Sequence, residues 1–140
     1  MPEASPDHQH WMQVALREAA RAAELGEVPV GAVVVRDGAV IGRGRNEVEQ
    51  RRDATAHAEM LALREAAEAV GSWRLNGADI YITLEPCPMC AGALILSRIR
   101  SVVFGARDPK FGALGSVTNL LGESARWNHR FEVVEGIEAE

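Results

Sequence analysis

Two short motifs carry the metal-binding residue types of this chain, and any fold must bring them together. The first reads HAE and begins at His57, and the second reads PCPMC and contains the only two cysteines, Cys87 and Cys90. One histidine and two thiolates are typical of a catalytic zinc site whose fourth position stays open for water. Glu59 lies close enough to carry protons without ligating the metal. We therefore predict a site with one zinc ion and Glu59 as its catalytic residue.

Each part of this pattern also has a simpler interpretation. A C-x-x-C motif at the start of a helix also occurs in thioredoxin-like redox proteins, although that interpretation leaves His57 and Glu59 unexplained. A structural zinc site would need a fourth ligand, for which His8, His10 and His129 are the spare histidines. A thiol–disulfide oxidoreductase and a zinc module without catalysis therefore stand as alternatives to a zinc enzyme.

The composition is that of an ordinary globular domain. The chain has 140 residues, of which 47% are hydrophobic and 25% charged, enough for one domain with its own core. The N-terminus does not read as a signal peptide, and no apolar run approaches the roughly 20 residues of a membrane span. A cysteine pair without a secretory signal is typical of a reducing compartment. We expect a cytoplasmic protein with no membrane association, formed by a single domain over residues 1–140 with a flexible leader at 1–7.

Charge is distributed unevenly along the chain. The net charge of −5 argues mildly against a nucleic-acid partner, which usually requires a basic surface. However, residues 98–130 contain six basic side chains and two acidic ones, whereas the last ten residues contain four glutamates and no base. A local basic face can therefore exist on this acidic protein, although solvated surface arginines would give the same pattern.

Hydrophobic periodicity and turn residues predict the order of helices and strands. Helical spacing of apolar residues indicates a helix over 8–25, and a β-branched run followed by Asp-Gly indicates a hairpin over 30–42. The remaining predicted segments are a polar loop over 46–54, a helix over 56–70 with Thr55 as N-cap and Gly71 at its end, a strand over 78–84, a helix from Pro86 through Ile99, a strand over 101–105, a glycine-rich loop over 111–116 and a strand over 131–134. This order predicts an α/β domain with a central mixed sheet covered by helices.

The predicted ligands lie at helix N-termini, and this position suits their chemistry. Unpaired N–H groups and a partial positive charge at a helix start favour thiolate over thiol, which strengthens zinc binding by Cys87 and Cys90. A bound zinc ion lowers the pKa of water to roughly 7 and so provides a hydroxide nucleophile. Glu59 would take the proton of that water.

Longer segments around these motifs resemble a known family. The pattern H-x-E followed by P-C-x-x-C is the signature of zinc-dependent nucleobase deaminases. The segments similar to bacterial tRNA-specific adenosine deaminases are EVPVGA, TAHAE, TLEPCPMCAGA, VFGARDPK and NHR, at residues 27–32, 55–59, 83–93, 103–110 and 128–130. The resemblance extends from about Trp11 to Ile137. The zinc motif is shared with cytidine and guanine deaminases, whereas residues 105–116 and 128–130 are more typical of the tRNA-editing branch.

The resemblance implies a three-layer, cytidine-deaminase-like α/β fold with a five-stranded mixed sheet flanked by helices. It implies a homodimer that converts adenosine to inosine at the wobble position of the tRNA anticodon, with one Zn²⁺ per subunit bound by His57, Cys87 and Cys90 and with Glu59 as proton carrier. The substrate contacts that it implies on the anticodon stem-loop are Asn46 for the flipped nucleoside, Val28, Pro29, Ala58, Leu84 and Glu85 for the pocket, and Arg107, Asp108, Lys110 and Ser116 for the flanking RNA.

Two features depart from the family pattern. Phe111 and Leu114 stand where smaller residues are expected, and we expect Phe111 to pack against the protein rather than stack on a base. The sequence ends at Glu140, whereas relatives usually continue into a C-terminal helix, so we expect a truncated or shortened member that holds RNA less tightly. A deaminase of a free base or nucleoside, such as guanine, cytosine or cytidine, would use the same zinc chemistry and is the alternative enzyme.

Overall fold

The computed structural model describes residues 6–138, which form a mixed five-stranded sheet with helices on both faces. The strands are β1 (Gly31–Arg36), β2 (Ala39–Arg45), β3 (Asp79–Leu84), β4 (Ser101–Ala106) and β5 (Glu132–Glu135). The helices are α1 (Pro6–Glu24), α2 (Val48–Arg51), α3 (Ala58–Val70) and α4 (Pro88–Leu96). The expected three-layer α/β fold is confirmed.

The strand order, β2-β1-β3-β4-β5, brings the connections that carry the motifs to one edge of the sheet. Strand β1 is antiparallel to β2 and to β3, whereas β3, β4 and β5 run parallel. Asp37 and Gly38 both have positive φ, 53° and 76°, as the predicted Asp-Gly hairpin turn between β1 and β2 requires. Because β3 and β4 are parallel, the segments that follow them begin at the same edge, where the Cys87 motif lies.

Both faces of the sheet are covered, so successive side chains of its central strands point alternately into two buried clusters. Toward α3 and α4 the strands direct Ala32, Val34, Ile80, Ile82, Val102 and Phe104. Toward α1 they direct Val33, Val35, Tyr81 and Val103, which pack with Met12 and Ala15. Burial on both faces explains why these strands read as continuous apolar runs in the sequence.

Helix α3 lies unusually close to strand β2. A Cβ atom at Gly44 would overlap the carbonyl oxygen of Ala58 and lie 2.7 Å from the backbone nitrogen of Ala62. A Cβ atom at Gly42 would lie 2.8 Å from the backbone nitrogen of Ala66. The three alanines form one stripe along α3, so alanine and glycine together fix the height of this helix above the sheet and the position of its first turn.

Helix α3 begins two residues later than predicted. His57 is its N-cap and Ala58 its first residue, so Thr55 as N-cap is wrong. Thr55 instead donates hydrogen bonds from its N–H and its hydroxyl to Asp53 Oδ1, at 2.8 and 2.7 Å, and so belongs to the preceding turn. Gly71 ends the helix with φ of 74°, as predicted.

Other boundaries differ in three places. The predicted loop over 46–54 contains the short helix α2, and α4 ends at Leu96 rather than continuing to Ile99. Helix α1 begins at Pro6, so residues 6 and 7 of the expected leader are helical, while residues 1–5 lie outside the described residues. Within residues 6–138, no helix combines the length and the apolar character that crossing a membrane requires.

Candidate metal centre and active site

The starts of α3 and α4 meet and bring the three predicted ligands together. His57 is the N-cap of α3, Cys87 is the N-cap of α4, and Cys90 lies in the first turn of α4. The Nδ1 atom of His57 lies 3.6 Å from the sulfur of Cys87 and 3.5 Å from the sulfur of Cys90. All three ligand atoms lie within 4.8 Å of one another. These residues can hold a metal ion.

The geometry of this group fits tetrahedral zinc. With zinc at about 2.3 Å from sulfur and about 2.0–2.1 Å from nitrogen, a tetrahedral site separates those two ligand atoms by about 3.5–3.6 Å. The observed distances of 3.5 and 3.6 Å match this separation. The two sulfurs and one imidazole nitrogen are also the donor types that zinc prefers over Mg²⁺ or Ca²⁺. Three ligands leave the fourth position open, as a catalytic site requires.

The spare histidines do not complete the metal centre. Within the described residues, the metal-binding group contains only the three motif side chains. His8 belongs to α1, not to a leader, and shares a hydrogen bond of 2.8 Å with the Tyr81 hydroxyl. His10 packs edge-on against Trp11, and His129 donates to the carbonyl oxygen of Ile99 at 2.6 Å. A structural site closed by one of these histidines is therefore not what this fold forms.

The surroundings of the two cysteines shift the pKa values of their thiols in opposite directions. The pKa of Cys87 is lowered to about 5, chiefly because the Cys90 side chain donates a hydrogen bond to it, with help from backbone N–H groups at the start of α4. The same interaction, together with burial, raises the pKa of Cys90. Of the two thiols, Cys87 is therefore the one whose surroundings favour the thiolate form that binds metals.

Glu59 lies in the first turn of α3 and is only 4% exposed. Burial raises its pKa to about 7, and the charge of Cys87 adds to this effect, while the N–H of the helix start and His57 oppose it. A carboxyl group in this position can hold or release a proton near neutral pH. Glu59 follows the candidate ligand His57 by two residues, so both side chains lie at the N-terminal end of α3.

Asn46 directly follows β2, in a segment that is hydrogen-bonded to the residue before His57. Its N–H donates to the carbonyl oxygen of Val30 at 3.1 Å, and the N–H of Glu47 donates to that of Ala56, next to His57, at 2.9 Å. The Asn46 side chain is buried, and its Oδ1 atom accepts no hydrogen bond within the described residues. Buried amide oxygens are normally satisfied, so this atom is available to a donor from a ligand.

The expected pocket walls come from three separate segments. Val28 and Pro29 are exposed just before β1, Ala58 is fully buried at the start of α3, and Leu84 is half-buried at the end of β3. The preceding residue, Glu27, escaped the sequence analysis. Its carboxylate accepts hydrogen bonds from the N–H groups of residues 49 and 50, at 3.0 and 2.8 Å, and so ties the Val28 segment to the start of α2.

Glu85 anchors the loop that follows β4. Its buried carboxylate accepts hydrogen bonds from the N–H groups of Asp108, Leu114 and Ser116, at 3.0, 2.9 and 3.1 Å, and from the Ser116 hydroxyl. Burial alone would raise the pKa of Glu85, but these four donors lower it below its ordinary value. The side chain therefore organises the loop, whereas the sequence analysis had placed it among the pocket walls.

The side chains expected to contact flanking RNA are held in different ways. Arg107 forms a bidentate ion pair with Glu135, with hydrogen bonds of 2.8 and 3.1 Å. The Asp108 carboxylate accepts from the N–H groups of Lys110 and Phe111, at 2.9 and 3.3 Å. The Lys110 side chain is exposed. Phe111 is 64% exposed, so the expectation that its ring packs against the protein is wrong.

A charged groove along the outer edge of β2 is separate from this site. Arginines and glutamates line it, and they pair with one another: Arg45 lies 3.6 Å from Glu18 and 3.8 Å from Glu47, and Arg51 lies 2.7 Å from Glu47. None of the predicted site residues lines this groove. This groove is therefore not part of the candidate active site.

Comparison with known proteins identifies the family. The MafB19-like deaminase family profile matches residues 6–139. The chain is 55% identical to the tRNA-specific adenosine deaminase of Bacillus subtilis (strain 168) over 127 residues, which span 91% of this chain and 78% of the relative. The chain belongs to the tRNA-specific adenosine deaminases. The same name applies to a relative from Aquifex aeolicus (strain VF5) that is 52% identical over 87% of this chain and 80% of its own length.

Solved structures agree with this family. A chain from a study of A-to-I editing by tRNA:A34 deaminases at the wobble position is 47% identical, with a TM-score of 0.86, over 93% of this chain and 99% of that one. A guanine deaminase from Bacillus subtilis is 39% identical with a TM-score of 0.70, over 71% of this chain and 64% of that one. Membership of a deaminase family confirms the expectation of an enzyme over that of a non-catalytic thiol or zinc module.

Proposed function

We propose that this chain hydrolyses adenosine to inosine at the wobble position of the tRNA anticodon, using one zinc ion per subunit. The observation that carries the proposal is the His57, Cys87 and Cys90 group, with buried Glu59 on the same helix turn as its histidine. The choice of substrate is supported by the relatives named tRNA-specific adenosine deaminases and by the structural neighbour from the A34 study. Such a protein acts where tRNA is found, which supports a cytoplasmic location.

The reaction exchanges the amino group on C6 of adenine for the oxygen of water. Zinc held by His57, Cys87 and Cys90 would supply activation of that water near neutral pH. Glu59 takes one water proton and delivers it to N1 of the ring, then transfers the second to the departing amino group. The C6–O bond forms, the C6–N bond breaks and ammonia leaves, so adenosine and water are the only reactants.

The side chains expected around the metal ligands suit a flipped nucleoside. The unpaired Oδ1 atom of Asn46 supports a hydrogen bond to the substrate, and the exposed Val28 and Pro29 and the half-buried Leu84 offer apolar contact. An anticodon-loop base is already unpaired, so moving it into a pocket costs less than it would in a duplex.

The loop that Glu85 anchors supports contact with the flanking RNA. Exposed Lys110 offers a positive charge to a phosphate. The side chains of Arg107, Asp108 and Ser116 form hydrogen bonds within the chain. We assign these three the role of holding the loop in the shape that the RNA meets.

We also propose that the chain works as a homodimer through the outer face of α3 and α4. This face has an apolar groove lined by Met60, Leu63, Ala67, Trp73, Ala93 and Leu96. Trp73 and Leu96 are 57% and 71% exposed, a large apolar area for a protein surface. A second copy with the same face would bury it by two-fold symmetry.

The variant Leu96→Glu tests this interface, because it places a charge on the apolar face. Light scattering should show a folded, zinc-containing monomer. An unchanged mass would contradict the proposal that this face forms the dimer.

The test of the function is deamination by the zinc-loaded chain on two kinds of substrate. One is an anticodon stem-loop with adenosine at the wobble position, with a guanosine-containing stem-loop as control. The other is a set of free nucleosides and bases, including adenosine, guanine, cytosine and cytidine. Inosine should form only in the adenosine stem-loop. Turnover of a free base or nucleoside instead, or no turnover of any substrate, would overturn the proposal.

A further inference from the structure

Phe111 is an aromatic side chain exposed on a well-anchored loop. Its ring is 64% exposed, and the neighbouring Lys110 side chain is also exposed. Exposed aromatic rings beside a positive charge are the combination that binds single-stranded nucleic acid, through stacking on bases and contact with phosphates. The exposed ring and the neighbouring charge can therefore contact a nucleic-acid ligand.

The backbone around Phe111 is fixed by hydrogen bonds. The Asp108 carboxylate accepts from the N–H groups of Lys110 and Phe111, and the Asp108 carbonyl oxygen accepts from the N–H of Gly112 at 2.9 Å. A Cβ atom at Gly112 would overlap the Glu85 carboxylate, so the chain passes directly over that anchor. A ring on such a loop is already placed for binding, and little backbone entropy is lost when a ligand stacks on it.

A further contact joins the Phe111 loop to the segment that carries the metal ligands. The N–H of Ala113 donates to the carbonyl oxygen of Pro86 at 2.9 Å, and Pro86 directly precedes the Cys87 ligand. The loop therefore continues from the Phe111 ring to the segment that holds the metal. Phe111 thus lies two residues before a backbone contact to the segment that carries Cys87.

We propose that Phe111 stacks on an unpaired base of the anticodon loop next to the edited adenosine and so sets how tightly this chain holds its RNA. The inference rests on the proposed function. Stacking accepts any base, because every base has a π face, so it contributes affinity more than sequence choice. Lys110, beside the ring, meets the phosphate of the same nucleotide.

The first experiment compares variants of the zinc-loaded full chain on the adenosine stem-loop. Phe111→Ala should raise KM between about 5-fold and 150-fold, the range for loss of one base–aromatic stack, while kcat stays within about threefold. Phe111→Tyr keeps the ring and should restore KM to within about threefold. Val117→Ala is the matched control, because Val117 is an aliphatic side chain of the same loop with 58% exposure. It should change KM by less than about twofold.

The second experiment identifies the base by replacing loop nucleotides one at a time with abasic residues. At the stacked position, the abasic RNA should raise KM for the unmodified chain and cause no further rise for Phe111→Ala. Additive losses at every position would overturn the inference, as would an unchanged KM for Phe111→Ala. Dissociation of a dimer by Phe111→Ala in light scattering would overturn it too, since the ring would then pack on a second copy. If the unmodified chain fails on the stem-loop, the proposed function itself falls.

Discussion

Glu59 and Glu85 are buried carboxylates next to the metal ligands, yet their surroundings give them different chemistry. Burial dominates at Glu59 and raises its pKa to about 7. Burial would act in the same direction at Glu85, but the Ser116 hydroxyl and three N–H groups lower that pKa below its ordinary value. Hydrogen bonds to the charged form thus decide which carboxyl exchanges protons and which stays charged as an anchor.

At Glu59, replacement by glutamine should separate chemistry from folding. Glu59→Gln keeps the side chain's size but cannot accept the water proton, so kcat should fall at least 10³-fold, within the range for loss of a general acid–base. Zinc content and thermal stability should remain, because Glu59 is not a ligand. Turnover on the stem-loop and metal analysis check this together. Near-normal turnover would rule out the proton-carrier role.

At Glu85, replacement by glutamine should loosen the loop rather than remove the chemistry directly. Glu85→Gln places an amide among four donors, so the free energy of unfolding should fall by about 3 kcal/mol, whereas Ser116→Ala removes one donor and should cost about 1 kcal/mol. Urea unfolding measures both, and limited proteolysis should cut Glu85→Gln within residues 108–116. Equal losses for the two variants would show that the backbone contacts contribute little.

At the scale of elements, the pairing of α3 with β2 controls where the metal centre lies. Ala58 and Ala62 lie directly over Gly44, without room for another atom. The helix carries His57 at its start, while Cys87 and Cys90 come from α4. The distance between the two halves of the metal centre therefore depends on how low α3 lies on the sheet.

A single methyl group beneath α3 should test this dependence. Gly44→Ala would force the helix away from β2, lowering the free energy of unfolding by about 2–3 kcal/mol and weakening zinc affinity. Gly92→Ala is the control, because a Cβ atom there meets nothing within 4 Å. Alanine is also more favourable than glycine inside a helix by about 0.5–1 kcal/mol, so this variant should not lose stability. Urea unfolding and zinc competition titrations measure both effects. Unchanged zinc affinity in Gly44→Ala would show that the site tolerates a shifted α3.

At the scale of the whole molecule, a bound metal would join two helices that the chain connects only through β3. His57 and Cys87 lie 30 residues apart in sequence but 3.6 Å apart at their ligand atoms. A ligand that binds only this folded arrangement stabilises it in proportion to the logarithm of its free concentration. A zinc ion bound here would therefore be a structural link as well as part of the proposed catalytic centre.

Metal removal should lower the stability of the whole domain. At free zinc a hundredfold above its Kd, binding contributes about 2.7 kcal/mol, or a Tm shift of roughly 8 °C for a domain of this size. A chelator should lower the Tm of the native chain and of Glu59→Gln by this amount. Cys87→Ala should lose zinc, start with the lower Tm and show no further response. Full zinc occupancy in Cys87→Ala would refute its assignment as a ligand.

The sequence determined the features that depend on residue type and local spacing. The candidate ligand set follows from one mid-chain histidine and a C-x-x-C pair, because cysteine and histidine are rare in this chain. The Asp37-Gly38 turn and the end of α3 at Gly71 follow from positive φ, which few residues adopt readily. The strands follow from runs of apolar residues that only a sheet covered on both faces would bury.

The tertiary structure decided the features that depend on distant partners. The groups that donate hydrogen bonds to Glu85 belong to Asp108, Leu114 and Ser116, which follow it by 23, 29 and 31 positions in the sequence. No local pattern marks Glu85 as an anchor. Helix α3 begins at Ala58 because the hydroxyl and N–H of Thr55 are hydrogen-bonded to Asp53 in the preceding turn. Phe111 is exposed because its loop is held from below by the Glu85 carboxylate. Spacing along the chain indicates which residues can perform the chemistry, but only contacts between segments far apart in sequence determine which of them meet.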